Sequence, residues 1–265
     1  MRLGDDLDRA PGLVEARGSV LGRPLFRLAT ATSTNDEAQR AAKAGAPHGA
    51  TWVAERQTAG RGRRGRIWVS PAGEGLLFST LVRLPCAPAQ LPPLALVAGL
   101  AVRDAVARAA PRVPVSIKWP NDIVAGDRKV AGILVEASTV GSRVEAVVVG
   151  IGINVHTRSF PHDIAGRATS VALLGAGGPP PDRAELLADV LGALDRDLHV
   201  FAGHGLGLLR ARLEAADALR GRRVRCESGT EGVAGGIDEY GRLIVRDDRG
   251  NFERWVAGEA NLVRG

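Results

Sequence analysis

The sequence predicts an α/β protein with α+β character that ends in a small β-barrel. Three observations lead to this fold class. Strand and helix patterns alternate up to about residue 110, three consecutive strand patterns follow, and short strands separated by polar turns fill the chain beyond residue 219. With 265 residues, 45% of them hydrophobic, the chain is long enough for one large core and a small appended unit.

Helices and strands alternate in the first half of the chain. Thr34 and Glu37 have the spacing of a capping box, which predicts a helix from about 35 to 44 with Thr34 as its cap. The Ser33-Thr34-Asn35 cluster also offers hydroxyls and free amides to a ligand, and the two roles are compatible. The other elements predicted in this half are an arm over 1–24 with a helical turn at 11–16, strands over 51–56 and 76–84, and an amphipathic helix over 94–109.

Consecutive strands follow in the second half. Patterns over 115–119, 129–137 and 144–155, with a Gly126-Asp127 turn in the first connection, predict antiparallel pairing. The remaining predictions are a Gly/Pro-rich linker over 175–181, helices near 182–202 and 206–218, and five short strands between 223 and 263. We therefore expect three units, namely the arm over 1–24, a main domain over 25–218 and the barrel over 219–265.

Composition and missing motifs exclude several function classes. The formal charge of +6 is a modest excess, Cys86 and Cys226 lack a Cys-x-x-Cys spacing, and no apolar run marks a signal peptide or a membrane span. We expect a soluble, cytoplasmic protein without membrane contact. No lysine follows a glycine, which excludes a Walker-type phosphate loop, and the histidines lack metal-ligand spacing. Gly150-x-Gly152 lacks the third glycine of a dinucleotide fingerprint, so these glycines are expected to serve close packing.

The most informative segment is the arginine loop, residues 60–66, with the sequence Gly-Arg-Gly-Arg-Arg-Gly-Arg. Glycine amides and arginine forks together bind anions, so the loop predicts a nucleotide phosphate site. A solvated arginine tract or an RNA-contacting segment has the same composition. The position of the loop between two buried strands, with Gln57 before it and Trp68 after it, favours the nucleotide. The indole of Trp68 is suited to stack on a purine.

A second segment, Lys118-Trp119-Pro120-Asn121-Asp122, makes this hypothesis more specific. Only three of the 35 basic residues are lysines, at positions 43, 118 and 129, and two of these three lie in or near the segment. A strand end with an exposed lysine is the structural alternative. A functional Lys118 would supply a movable point charge that follows a reacting oxygen. Asn121 and Asp122 would hold a ribose, a magnesium ion or an incoming amine.

Five motifs in this order closely resemble those of the biotin protein ligases, over about residues 25–265. They are Ser33-Thr34-Asn35, the segment from Glu55 to Trp68, Lys118 to Asp122, Lys129 to Glu136, and Gly150-x-Gly152-x-Asn154. The resemblance implies a mixed-sheet catalytic domain related to class II aminoacyl-tRNA synthetases and lipoate ligases, followed by an SH3-like barrel. It implies a ligase that makes biotinyl-5′-AMP from biotin and ATP, with Mg²⁺ entering with ATP and no fixed protein metal site. The biotinyl group would then pass to a lysine of a biotin carboxyl carrier protein.

The resemblance also implies roles for individual residues. Lys118 would link the biotin carboxyl group to the α-phosphate, Arg63 would share in catalysis, and Trp68 would carry the adenine. The implied biotin contacts are Ser33, Thr34, Asn35, Gln57, Gly60, Arg61, Gly62, Arg63, Lys118, Gly132, Ile133 and Leu134. The implied nucleotide contacts are Arg61, Arg63, Arg64, Arg66, Trp68, Asn121 and Asn154.

Three alternatives stay open at the level of sequence. A ligase for lipoate or another acyl acid would use the same scaffold, and an Arg/Gly RNA-binding module would use the same loop. A biotin-responsive DNA-binding repressor would need an N-terminal winged helix-turn-helix, for which the residues before Ser33 are too few. We therefore expect the short form of the family, without specific DNA binding.

Overall fold

The computed structural model describes residues 5–84, 88, 91–140, 143–175, 181–256 and 258–263. The helices within these ranges are α1 (Ala10–Ala16), α2 (Thr34–Lys43), α3 (Leu94–Ala109), α4 (Val171–Leu174), α5 (Arg183–His204) and α6 (Arg210–Ala216). The strands are β1 (Leu25–Leu28), β2 (Thr51–Ala54), β3 (Gly75–Val82), β4 (Val115–Lys118), β5 (Asp122–Ala125), β6 (Arg128–Val140), β7 (Arg143–Asn154), β8 (Arg223–Arg225), β9 (Glu231–Ile237), β10 (Leu243–Arg246), β11 (Phe252–Trp255) and β12 (Asn261–Leu262). The predicted α/β class is confirmed.

Seven strands form one mixed sheet in the order β1-β2-β3-β7-β6-β5-β4. β1 and β2 run parallel, and the other neighbouring pairs are antiparallel, as the consecutive strand patterns predict. The sequence does not predict β5, because its four residues follow the Trp-Pro-Asn segment too closely to form a pattern of their own. The Gly126-Asp127 turn therefore joins β5 to β6.

The two faces of this sheet are covered differently, because the residues of β7 alternate in size. Val149 and Ile151 lie in the main hydrophobic core together with α3 and α5. Gly150 and Gly152 point to the opposite face, since successive residues of a strand alternate sides. α2 packs on this second face through small residues such as Ala38. Because glycines have no side chain, they leave a depression in the sheet beside the start of α2.

The last five strands form an antiparallel sheet in the order β11-β10-β9-β8-β12, which is compatible with the predicted SH3-like barrel. Trp119 joins this unit to the main sheet. Its side chain is 2% exposed, and its Nε1 donates to the carbonyl oxygen of Gly241 over 2.9 Å. Because Trp119 directly follows β4, the segment from Lys118 to Asp122 is held where the two units meet.

The N-terminal segment, which the sequence predicts as an arm, packs against the main domain. Leu7, Val14 and Leu21 are at most 2% exposed and belong to the main core. Leu7, Ala10 and Val14 recur at helical spacing, which gives the segment one apolar face. Most of the predicted linker over 175–181 lies outside the described residues, and Cys86 does as well. No helix in the described part of the chain is long and apolar enough to cross a membrane.

Substitution of Trp119 tests the connection between the two units. Trp119→Phe keeps most of the buried ring but leaves the Gly241 carbonyl without its donor, so we expect the free energy of unfolding to fall by about 1–3 kcal/mol. Urea denaturation measures this change. The matched control is Trp255→Phe, because Nε1 of Trp255 bonds the exposed Glu253 and its loss should cost less than about 0.5 kcal/mol. Equal losses in the two variants would contradict the role of Trp119.

Candidate active site

A cleft opens on the second face of the main sheet, between the start of α2, the arginine loop and the strands β6 and β7. The cleft is concave, partly open to solvent, and lined by both polar and apolar residues, which suits a small-molecule site. The lining residues are Ser33, Thr34, Asn35, Gln57, Arg61, Gly62, Arg63, Arg66, Ile67, Trp68, Asn121, Asp122, Lys129, Gly132, Ile133, Leu134, Gly150, Ile151, Gly152 and Glu259. The cleft thus brings together residues from all five sequence motifs and from the C-terminal unit.

One end of the cleft is a hydrogen-bond network around the first residues of α2. The Gln57 Oε1 atom accepts from the Thr34 amide at 2.7 Å and from the Thr34 hydroxyl at 3.1 Å. The Ser79 hydroxyl in turn donates to Thr34 Oγ1 at 2.7 Å. The prediction that Thr34 caps the helix is wrong, because Ser33 occupies the cap position and the Thr34 hydroxyl is used by Gln57. These bonds fix the polar groups of the cleft before a ligand binds.

The floor of the cleft is made of glycines. A Cβ atom at Gly152 would lie 2.6 Å from Trp68 Cε2, and one at Gly150 would lie 2.1 Å from Asn35 Oδ1. Trp68 and Asn35 therefore rest directly on the sheet backbone, which confirms the predicted packing role of these glycines. The Trp68 Nε1 atom is buried and has no hydrogen-bond partner among the described residues. A buried donor of this kind needs an acceptor, which a ligand in the cleft can provide.

The arginine loop folds back on itself beside the cleft. The Gly62 amide donates to the Arg66 carbonyl at 2.7 Å, and the Trp68 amide donates to the Gly60 carbonyl at 2.9 Å. Arg64, at the tip, has a φ of 58°, a left-handed conformation that residues with side chains seldom adopt. The loop is therefore a tight turn that spreads its arginine side chains in different directions.

Carboxylates neutralise three of the four loop arginines. The ion pairs are Arg61 with Asp36 and Glu136, Arg64 with Glu227, and Arg66 with Glu259. Arg63 differs, because its Nη1 donates to Asn121 Oδ1 at 3.0 Å and to the Gly258 carbonyl at 3.4 Å, and it forms no ion pair with a described residue. Burial and the charge of Arg64 lower the pKa of Arg63, whereas the hydrogen bond to Asp36 raises that of Arg61. Asp122 and Glu259 attract Arg63 without forming a direct ion pair with it. Arg63 is therefore the loop arginine whose guanidinium group is free to favour a bound anion.

The lysine that lines the cleft is Lys129, and the structure does not bring Lys118 there. The Lys129 Nζ atom lies 2.6 Å from Asp122 Oδ1 and 5.4 Å from the centroid of the Trp68 ring. Lys118 lies on the edge strand β4, in register with Asp122, which is in register with Gly132. Two strand spacings put the Lys118 backbone about 10 Å from that of Gly132, and Lys118 is not among the residues that line the cleft.

A bulge in β6 explains why Lys129 faces the cleft. Strict alternation from Gly132 would place Lys129 on the core side of the sheet. The register shifts, however, because Ile123 pairs with Ala131 whereas Val124 pairs with Lys129, which leaves Val130 bulged. Such a bulge turns the next side chain to the other face, a common device beside active sites.

Most of the predicted site residues line the cleft. The exceptions are Gly60, Arg64, Lys118 and Asn154. Arg64 turns to Glu227 of the C-terminal unit, and the buried Asn154 donates to the Thr169 carbonyl at 3.0 Å. The lining residues outside the predicted biotin and nucleotide contacts are Ile67, Asp122, Lys129, Gly150, Ile151, Gly152 and Glu259. Most of these lie in or beside the quoted motifs, whereas Glu259 gives no local signal because packing of the C-terminal unit brings it to the cleft.

Comparisons with known proteins agree with this geometry. The model of the biotin/lipoate A/B protein ligase family matches residues 26–154. The biotin–[acetyl-CoA-carboxylase] ligase of Paracoccus denitrificans is 39% identical over 233 residues, which cover 84% of this chain and 94% of that protein. The bifunctional ligase/repressor BirA of Bacillus subtilis is 35% identical over 236 residues, which cover 87% of this chain and 72% of that protein. The biotin protein ligase of Aquifex aeolicus, solved with biotin and ATP, superposes with a TM-score of 0.77 at 32% identity, covering 91% of this chain and 99% of that one.

The fold, the cleft and the family match define an enzyme of the class that ligates biotin or lipoate to proteins. Within this class, similarity over nearly the full length of known members shows that the chain belongs to the biotin protein ligase family. It is a ligase with the mixed-sheet fold that the sequence predicts. The same similarities favour a biotin ligase over the lipoate-ligase, repressor and RNA-binding alternatives.

The glycine floor can be tested without any substrate. Gly152→Ala would place a methyl group 2.6 Å from Trp68 Cε2, so the indole has to leave its position. We expect more acrylamide quenching of tryptophan fluorescence than in the wild type. Gly166→Ala is the control, because a Cβ atom at Gly166 meets nothing within 4 Å. Unchanged quenching in Gly152→Ala would show that the indole does not pack on Gly152.

Proposed function

We propose that the protein joins biotin to AMP in this cleft and then transfers the biotinyl group to a lysine of a carrier protein. One observation carries the proposal: Arg63 is a half-buried cation in the cleft that forms no direct ion pair with a described carboxylate. A guanidinium group in this setting binds phosphate oxygens with two parallel hydrogen bonds. The polyphosphate of ATP supplies the missing anion.

The two ends of the cleft suit the two substrates. Ser33, Thr34 and Gln57 offer neutral donors and acceptors for the ureido group of biotin, and the Leu134 side chain offers an apolar wall for its rings and chain. Ile133 lines the cleft beside it, but its side chain lies in the main core. At the other end, the Trp68 indole offers a face to adenine and a buried Nε1 donor to a nucleotide oxygen. In this arrangement the biotin carboxylate points towards the α-phosphate.

Other residues from the motifs act around these two ends. Arg61 and Gly62 cover biotin from the arginine loop, while Arg66 and Asn121 stand beside the phosphates. The remaining predicted contacts act less directly: Asn35 beside Gly150, Gly60 through its backbone bond to Trp68, and Arg64 and Asn154 through packing outside the cleft lining.

Lys129 takes the role that the sequence predicts for Lys118. In the first step, a biotin carboxylate oxygen attacks the α-phosphorus and pyrophosphate leaves. Lys129 and Arg63 stabilise the negative charge on the phosphoryl oxygens, and the flexible lysine stem lets the ammonium group follow them. In the second step, the carrier lysine amine attacks the carbonyl carbon, loses a proton as the amide forms, and displaces AMP.

The partner and the conditions follow from this chemistry. The acceptor is a biotin carboxyl carrier protein or domain, in keeping with the acetyl-CoA carboxylase named for the Paracoccus denitrificans relative. Mg²⁺ enters with ATP as part of the substrate complex, and its charge helps the pyrophosphate leave. We place the reaction in the cytoplasm, as the sequence predicts.

Intact mass of the acceptor tests the proposed function. The protein is incubated with Mg²⁺, ATP, biotin and a biotin carrier domain, and we expect the carrier to gain the mass of one biotinyl group. Lipoate and octanoate replace biotin in parallel incubations, with pyrophosphate release as a second measurement. Activity with lipoate or octanoate and none with biotin would replace this proposal by another acyl ligase.

The assignment of Lys129 is tested against Lys118. We expect Lys129→Gln to lower kcat/KM for adenylate formation by about 100- to 1,000-fold, because the ammonium group that stabilises the reacting phosphate is lost. Lys118→Gln, which removes the same charge outside the cleft lining, should change kcat/KM by less than about tenfold. The reverse order of effects would return the role to Lys118.

A second matched pair of variants tests the charge of Arg63, which has no direct ion pair with a described residue. Arg63→Gln removes a cation that lines the cleft, and we expect KM for ATP to rise about 10- to 100-fold. Arg64→Gln is the control in the neighbouring position, because Arg64 pairs with Glu227 away from the cleft and its loss should change KM about twofold or less. Steady-state kinetics of pyrophosphate release measure both variants. An equal rise in KM would mean that the loop binds ATP by net charge alone.

A further inference from the structure

Arg183, the first residue of α5, carries a charge inside the protein. Its side chain is 2% exposed. Nη1 and Nη2 donate to the carboxylate of Glu55 at 2.7 and 3.1 Å, and Nε and Nη2 donate to that of Asp6 at 2.9 and 2.7 Å. Burying a charge is unfavourable unless it is well paired, and here two carboxylates meet that requirement.

This arginine closes the base of the loop that carries the site. We call residues 55–74 the cleft loop, because this connection between β2 and β3 contains Gln57, the arginine loop and Trp68. Glu55 is its first residue, and Gly75, the first residue of β3, directly follows it. The Arg183 Nη1 atom donates to both, to the Glu55 carboxylate at 2.7 Å and to the Gly75 carbonyl at 3.3 Å. Ion pairs of the arginine loop restrain the middle of this connection. Arg183 adds a restraint at its base, where the two ends meet.

Asp6 holds Arg183 from the other side. Asp6 belongs to the N-terminal segment, which packs on α5. Burial raises the pKa of Asp6, but the hydrogen bonds and the charge of Arg183 outweigh this effect, so the pKa lies below its ordinary value and the carboxylate is ionised at neutral pH. A single guanidinium group thus connects the N-terminal segment to the base of the cleft loop.

We propose that Asp6 and Arg183 are positioning residues that hold the two ends of the cleft loop together. Neither side chain lines the cleft, so both act through Glu55 and Gly75. A loop with a fixed base loses less conformational freedom when it closes over a ligand, and it retains that ligand longer. The effect on loop mobility is independent of the substrate, whereas the effect on adenylate retention rests on the proposed function.

Hydrogen exchange of the full chain without substrates tests the effect on mobility. Asp6→Asn should make the amides of residues 56–74 exchange at least about threefold faster. Arg17→Gln is the matched control, because Arg17 also ties the N-terminal segment to α5, through Glu185 and Asp189, and does not bond Arg183 or the cleft loop. The two side chains are equally exposed, 26% for Asp6 and 27% for Arg17. Exchange of the wild type and of each variant is measured at the same number of degrees below its own Tm, so that a general loss of stability cancels in the comparison.

Retention of the intermediate tests the effect on function. Biotinyl-5′-AMP should dissociate from Asp6→Asn about three- to tenfold faster than from the wild type, and at the wild-type rate from Arg17→Gln. Equal changes in both variants, or no change in the exchange of residues 56–74 in Asp6→Asn, would overturn the positioning role. A wild-type protein that forms no adenylate would instead refute the proposed function, and the exchange result would still decide the positioning role.

Discussion

The structure depends on how four arginine charges are held beside one cleft. Three of these arginines form direct ion pairs with described carboxylates, and one does not. Carboxylates from α2, β6 and the C-terminal unit pair with three of these arginines, so the same ion pairs fix the arginine loop to both parts of the molecule. Only Arg63 has neutral partners alone among the described residues. The cation without a direct ion pair favours an anionic ligand, and the ion pairs of the other three arginines hold the loop in place.

Backbone geometry gives the cleft its shape. Glycines at positions 132, 150 and 152 remove the side chains from one face of β6 and β7, while valines and isoleucines on the other face hold the strands in the core. Trp68 can therefore lie on the sheet itself, and a bulge at Val130 turns Lys129 towards it. Stability comes from one face of these strands and chemistry from the other. The two requirements do not compete for the same positions.

Local patterns in the sequence predicted much of this arrangement. The helix over 94–109 has the predicted bounds, and the motifs that predicted the site supply most of the cleft lining. The predictions that were wrong concern contacts between residues that are distant in the sequence. Alternation along a strand cannot reveal the bulge that distinguishes Lys129 from Lys118, and a capping pattern cannot show that Gln57 uses the Thr34 hydroxyl. The positions of Glu227, Glu259 and Arg183 follow from packing between units that share no local signal.

The most direct measurement of the central claim is native mass spectrometry of the protein after incubation with biotin and Mg²⁺-ATP, without any acceptor. We expect a complex heavier than the free protein by the mass of biotinyl-5′-AMP, held without a covalent bond and lost when the protein is denatured. Arg63→Gln should retain little of this mass. A wild-type protein that binds ATP but never gains the adenylate mass would contradict adenylate formation in this cleft.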